Sequence, residues 1–408
     1  MPDVSFSSLA IVVAVAFAVP LLLGLAPALR LPAVALEILA GIVIGPSGLR
    51  WVTADVPVQV LALIGTAFVL FLAGLEVDLG CLKGRLLTAA ALNFLGSLAL
   101  ALLVAYALTT LGLVATPLLI AIILSATSLG VVVPVLKDAR QSGTALGQVV
   151  IAASSIADFG TIILLSLFFS REATTIGAKV MLIGTFVLLA VVAAFAIGRF
   201  ERSTRFSDLL RRLQDTTAQI RVRGAFLLLM AFVAMARQLG LEVVFGAFTA
   251  GAILKVADRD EMITHPNFRL KLEAVGSGVF IPIFFVASGI TFNLPALFAG
   301  ASTLALVPIF LVALLVVRGL PALLYRPVIG GRRAVAAALL QATSLPFIVV
   351  ASQVGLAFGI IRPATGAAMV AAGLLSVLVF PIGALMLLSR EGAVAPARAS
   401  SPLPGRSA

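Results

Sequence analysis

An aspartate, Asp158, stands near the middle of IAASSIADFGTIILLSLFFS, residues 151–170, a run otherwise apolar and long enough to cross a bilayer. An ionisable group in hydrocarbon costs roughly 2.5 kcal/mol or more, so an acid there marks a functional site unless it merely pairs with another span. A carboxylate that holds either a proton or a metal cation, but not both, is the minimum equipment for exchange. Two further stretches carry hydroxyls at matching positions. LSATSLGVVVP (residues 124–134) and LQATSLPFIVV (residues 340–350) share ATSL, which pairs Thr127 and Ser128 with Thr343 and Ser344. In each, the hydroxyls are followed by a residue that weakens a helix. Pro346 has no N–H and clashes with the preceding turn, and Gly130 removes side-chain support. Both helices are therefore expected to unwind there, with the hydroxyls satisfying the freed backbone and the half-helix ends supplying partial charges for an ion. The alternative is that these hydroxyls bond to the carbonyl one turn back.

Other polar residues inside apolar runs are few. Arg318, in LLVVRGLPALLYR (residues 314–326), is the only basic residue clearly inside a span rather than at its end. It either ion-pairs with Asp158 in one state, sparing the site an uncompensated anion, or snorkels to the interface. Glu37, in LEILAGIVIGPSGL (residues 36–49), either caps an internal helix end or lines an ion path. Gln341, Ser154 and Ser155 are candidates for the same two roles, although helix-to-helix hydrogen bonding is the plainer job for Gln341 and for Asn93. Glu76 and Asp78 fall at the end of an apolar run, where solvation is the default.

The elements that must position these residues follow from composition. Of 408 residues 62% are hydrophobic and 11% charged, and the mean hydropathy is +1.21, which makes the chain an all-helical polytopic membrane protein. Apolar stretches fall at about residues 7–29, 31–49, 59–75, 86–111, 116–136, 145–169, 180–198, 224–239, 243–256, 274–290, 302–324, 334–358 and 364–388, thirteen spans in all. The first lacks the basic start and short core of a signal peptide. The net charge of +11 does not point to nucleic acid. With thirteen spans, twenty-two of the 28 Lys and Arg residues fall on one side and five on the other, Arg318 lying inside a span. The positive-inside rule then puts residues 1–6 outside and residues 389–408 in the cytoplasm as a disordered tail. One cysteine, Cys81, and one histidine, His265, leave no intramolecular disulfide, no Cys-based metal cluster and almost no material for a catalytic triad. With a single Asp clearly in mid-span, a membrane protease is disfavoured. Neither enzymatic activity nor a cofactor is expected.

The Arg-rich connection at residues 200–223 divides the spans into two groups, and the groups resemble each other. Besides ATSL in the fifth and twelfth spans, FLAGLEVDL (residues 71–79) ends the third and FVASGITFNL (residues 285–294) ends the tenth. Partners seven spans apart run in opposite directions. Spans one to six (about residues 7–169) and eight to thirteen (about residues 224–388) thus form an inverted-topology repeat joined by the seventh span (about residues 180–198), the architecture of many secondary transporters.

Together ILAGIVIGPSGL, LFLAGLEVDL, the ATS stretch, the Asp-bearing sixth span, VFGAFTAGAIL (residues 244–254), IFFVASGITFNL and VVRGLP resemble the monovalent cation/proton antiporter superfamily, in the branch of potassium-efflux and germination-linked sodium antiporters. The resemblance implies a thirteen-span fold with a dimerisation part, hence a homodimer, and a mobile core around two crossed broken helices. It carries the ion-binding carboxylate onto Asp158, shared by Na+ or K+ and H+, and its basic partner onto Arg318. Two departures stand out. Family members usually carry Asp, Asn or Gln where this chain has Ala157, and losing a second carboxylate favours one-for-one, electroneutral exchange. The potassium-efflux members also carry a nucleotide-binding regulatory domain, a role that here would fall to a separate subunit. Two other functions use the same fold: sodium-coupled uptake of an organic solute, which needs more polar residues than the spans offer, and a non-transporting sensor of pH or ions.

Overall fold

A computed structural model describes residues 6–25, 32–76, 84–169, 176–201, 219–257 and 266–392. Arg30, Asp78, Cys81, His265, residues 1–5 and residues 393–408 lie outside the described residues. The described chain is helical throughout. In order it forms α1 (Ser7–Leu25), α2 (Ala33–Ile44), α3 (Val56–Glu76), α4 (Gly84–Thr110), the half-helices α5 (Pro117–Ser125) and α6 (Leu129–Asp138), α7 (Ala145–Phe168), α8 (Ile176–Glu201), α9 (Ile220–Gln238) and α10 (Val243–Ala257). Then come α11 (Pro266–Val275) and α12 (Ile281–Ile290), joined by the π-turn Gly276–Phe280. Next is α13 (Ala301–Leu314), which runs into a second π-turn, Leu315–Gly319. The half-helices α14 (Gly331–Ala342) and α15 (Pro346–Ala357) and the long α16 (Pro363–Gly392) complete the chain.

Ten of these segments are long and apolar enough to span a membrane, and two more, in α2 and α10, are shorter apolar helices. With α9, whose Arg221, Arg223 and Arg237 sit near its ends, they coincide with the thirteen expected spans. The tenth span begins earlier than hydropathy suggests, because the polar first turns of α11 continue the helix beyond its apolar part.

Both expected interruptions occur. Residues 126–128 separate α5 from α6 and residues 343–345 separate α14 from α15, with Ala126, Ser128 and Thr343 extended. Pro346 occupies the first turn of α15, where its missing N–H costs nothing. Gly130 is not the break: α6 starts one residue before it, because the Ser128 carbonyl accepts the Val131 and Val132 N–H groups and starts the helix there. The two breaks meet directly. The Ser128 N–H donates to the Thr343 carbonyl at 3.0 Å, and the Thr127 hydroxyl donates to the Gln341 carbonyl at 2.8 Å.

Reciprocal glycine crossings frame the breaks. Where α2 crosses α12, a Cβ on Gly41 would land on the Val286 carbonyl oxygen, and one on Gly289 on that of Ile38. Where α3 crosses α10, Gly74 faces the Phe248 carbonyl and Gly251 that of Phe71. Helices surrounded by lipid gain little from hiding apolar surface from one another, so close backbone packing at small residues is what holds them together. The two crossings are partners in the repeat, α2 with α10 and α3 with α12.

Candidate ion site

Asp158 sits just past the middle of α7, a helix started by Thr144, whose side chain accepts the Gly147 N–H at 3.3 Å. Its carboxylate faces the first break. Oδ2 accepts the N–H of Leu129, the first residue of α6, at 3.3 Å, so the positive end of a half-helix points at the acid. Oδ1 is buried and has no hydrogen-bond partner. The residue is 8% exposed, and that small exposure is to a cavity of about 310 Å3.

The cavity is lined by Asp158, Thr127, Ser128, Glu37 and Glu76, by apolar side chains including Ile162, Phe285 and Phe347, and by Pro346 at the head of α15. Its outer part lies among Ala33 and Val34 at the start of α2, Ala73 near the end of α3 and the exposed Ser277 in the first π-turn. It therefore runs from the membrane face where α2 and α11 begin to the crossing of the broken helices. Glu37 is buried and lines this path; no helix end among the described residues is capped by it.

Glu76 differs from the sequence expectation of a solvated group. It ends α3 at the cavity mouth, with Oε2 buried and unpartnered, because α11 packs over it. From that helix Arg269 reaches Glu76 Oε1 at 3.8 Å while its Nε pairs with Glu273 at 2.6 Å.

Arg318 does not snorkel. It is fully buried, carried by the π-turn Leu315–Gly319, a local widening of the helix common at functional sites. Its Nε donates to the Thr127 hydroxyl at 2.8 Å and its Nη1 to the Ser97 hydroxyl of α4 at 3.1 Å. No ion pair within 4 Å joins Arg318 to Asp158 among the described residues. The guanidinium grips the first break from behind, and the carboxylate faces it from the cavity.

The remaining expected residues fall behind the breaks, away from the cavity lining. The Thr343 hydroxyl bonds back to the Leu339 carbonyl at 3.1 Å, the plain alternative for a helical threonine, and its carbonyl serves the first break. The Ser344 N–H donates to the Ser376 hydroxyl at 3.2 Å, and that hydroxyl faces the carbonyls of Ser344 and Gly373 at 3.0 and 2.7 Å. Ser376, on α16, thus attends the second break as Asp158 on α7 attends the first, the two helices being partners in the repeat. Gln341, Ser154 and Ser155 are buried, with side-chain polar atoms unpartnered. Sequence reasoning did not single out Ser97, Ser376 or Arg269. Their one available signal was a polar side chain within or beside an apolar run.

A family model for the transmembrane sodium/hydrogen exchangers matches residues 13–390. The chain belongs to the sodium/hydrogen exchanger family. It is similar to the putative Na+/H+ antiporter YjbQ of Bacillus subtilis, 31% identical over 406 residues, which are 96% of this chain and 64% of the relative; the chain thus spans just under two thirds of that protein's length. It is also similar to the probable Na+/H+ antiporter 3 of Methanocaldococcus jannaschii, 27% identical over 379 residues, covering 91% of this chain and 94% of the relative. Among solved structures, the sodium proton antiporter MjNhaP1 of the same archaeon shares the fold, with a TM-score of 0.69 at 18% identity over 94% of this chain and 98% of that one. The described helices with their crossed broken pair therefore share that antiporter's fold, and the protein is a multi-pass membrane protein.

Proposed function

We propose that this exchanger-family chain is an antiporter of a monovalent cation, Na+ or K+, against H+, working by alternating access with Asp158 holding the proton and the cation in turn. The observation that carries this reading is Asp158 in the lining of the cavity with its Oδ1 buried and unpartnered. A desolvated carboxylate with one oxygen uncommitted must be neutralised, and the cavity admits two ways of doing so, a proton or a small cation. Ser128 and the backbone carbonyl of Thr127, whose hydroxyl is taken by Arg318 and Gln341, supply neutral oxygens to a partly dehydrated cation, and Leu129 N–H holds the carboxylate in place. Glu37 and Glu76 gather cations along the approach. Thr343, Ser344, Ser154, Ser155 and Gln341 support the breaks. Arg318 supplies a fixed positive charge behind Thr127 that offsets the carboxylate across the break, and with Ala157 leaving no second acid, exchange is one for one and electroneutral.

The orientation taken from the charge distribution, residues 1–6 outside and the last helix ending in the cytoplasm, makes the cavity mouth cytoplasmic. The sparsely buried faces of α1 and α8 suit a homodimer contact, with the broken helices in a core that moves against it.

The test is proton flux in proteoliposomes on adding Na+, K+ or Li+, wild type against Asp158→Asn. Flux in the wild type with one or more cations, absent from the variant, is expected. A wild type silent with every cation between about pH 6 and 9 would overturn antiport. Because proton and cation compete for one carboxylate, the apparent KM for the cation is expected to rise as pH falls, by up to about tenfold per pH unit once the proton dominates. A KM independent of pH would mean that the two do not share Asp158.

A further inference from the structure

A polar layer lies behind the first break, on the side away from the cation cavity. Below it is an apolar cluster that includes Ala90 of α4, Val150 of α7, Ala322 beyond the second π-turn and Ala337 of α14. One turn further toward the breaks, on the same face of each helix, come Asn93, Ser154, Arg318 and Gln341 respectively. The levels agree with the packing. Arg318 Nη1 reaches Ser97, one turn beyond Asn93 on α4, and a Cβ on Gly319 would contact that of Ala338 at 3.5 Å. The Gln341 carbonyl receives the same Thr127 that Arg318 holds.

All four side chains are fully buried, yet Asn93 Nδ2 and Oδ1, Ser154 Oγ, Arg318 Nη2 and Gln341 Nε2 and Oε1 find no partner among the described residues. Buried polar groups in folded proteins are almost always satisfied, and six unpaired atoms on four elements that pack together need an occupant. The atoms choose its chemistry. A cation would face the guanidinium. An anion would face the carbonyl oxygens of Asn93 and Gln341. Water donates to those oxygens and accepts from the Arg318, Asn93 and Gln341 N–H groups, so it alone suits the whole set.

We propose that Asn93, Ser154, Arg318 and Gln341 enclose a buried water site, a hydrated compartment behind the first break that solvates Arg318 where no carboxylate stands beside it. The water keeps the guanidinium charged and fixed on Thr127 while the occupant of Asp158 changes. Asn93 and Gln341 are then positioning residues for exchange. Their effect on exchange rests on the antiport reading; the occupancy of the site does not.

Two measurements test this. A structure of the full chain at about 2 Å, solved with bromide replacing chloride, is expected to show ordered density at hydrogen-bond distance from Arg318 Nη2 and from an Asn93 or Gln341 side chain, without anomalous signal. Anomalous bromide density in the layer, or side chains paired directly with one another, would overturn the site. In proteoliposomes the similarly sized apolar variants Asn93→Leu and Gln341→Met are expected to lower turnover about tenfold with cation KM within about threefold, while Asn93→Ser, which leaves room for water, keeps most of it. Wild-type turnover in both apolar variants, or equal losses in Asn93→Leu and Asn93→Ser, would overturn the positioning role, and Gln341→Met decides it should Asn93→Leu fail to fold. A wild type without exchange would defeat the antiport reading and leave the density to decide the site.

Discussion

Glu76 is the residue at which charge and position argue most usefully. Its carboxylate stands at the cavity mouth, and its companion Arg269 is already held by Glu273, so Glu76 is left to meet entering cations. Glu76→Gln is expected to raise the cation KM by about three- to tenfold at low ionic strength, with turnover within about twofold, because it removes attraction along the path and leaves Asp158 intact. An unchanged KM would mean that Arg269 already neutralises the group. The contrast with Asp158 explains what single residues revealed in advance. Asp158, Arg318 and Glu37 were legible because a charge inside an apolar run is expensive wherever the chain folds. Glu76 was not, because a charge at a helix end is cheap or costly according to whether another helix packs over it, and α11 is remote in sequence. Ser97 and Ser376 were invisible for another reason: a serine in an Ala- and Leu-rich helix usually bonds to its own backbone, and nothing local distinguishes one that serves a neighbour.

Helices meet in this molecule through glycine, and this separates two kinds that look alike in sequence. A methyl group added at Gly251 would strike the Phe71 carbonyl oxygen and come within 2.9 Å of the Leu75 nitrogen, both backbone atoms that cannot turn aside. One added at Gly130 meets nothing within 4 Å. Gly251→Ala is thus expected to destabilise the fold by about 1 to 3 kcal/mol, read as a lower thermal midpoint in detergent. Gly130→Ala should leave the midpoint unchanged or raise it by up to about 1 kcal/mol equivalent, because alanine favours the first turn of α6. Equal midpoints for the two variants would refute the close approach of α3 and α10. Gly130 had suggested where the fifth span unwinds, and the break lies just before it instead. Its placement comes from long-range partners, the Thr343 and Gln341 carbonyls, which no local propensity records. Pro346 marked its break correctly because the missing N–H acts within its own turn.

The described helices before and after α8 form two halves inserted in opposite senses. The apolar helices were legible because the bilayer fixes helix length, and two sequence pairs disclosed the repeat. A third pair, Ala40-Gly41 with Ala250-Gly251, was too short to notice until both glycines were seen against carbonyls in equivalent crossings. What the repeat does not reveal is the side to which the site opens, because inverted halves permit either. Here the lining of the cavity decides it: Ala33, Ala73 and Ser277 lie where α2 begins, α3 ends and α11 passes into its π-turn. With the charge-derived orientation that face is cytoplasmic, which gives a prediction independent of transport. In a background with Cys81 replaced by Ser, Ala73→Cys should react with a membrane-impermeant thiol reagent in inside-out vesicles and resist it in right-side-out ones. Saturating cation should slow the reaction if it draws the protein into its other state. Labelling only from the outside would reverse the orientation. Equal labelling from both sides would overturn the placement of Ala73 at a mouth on one face.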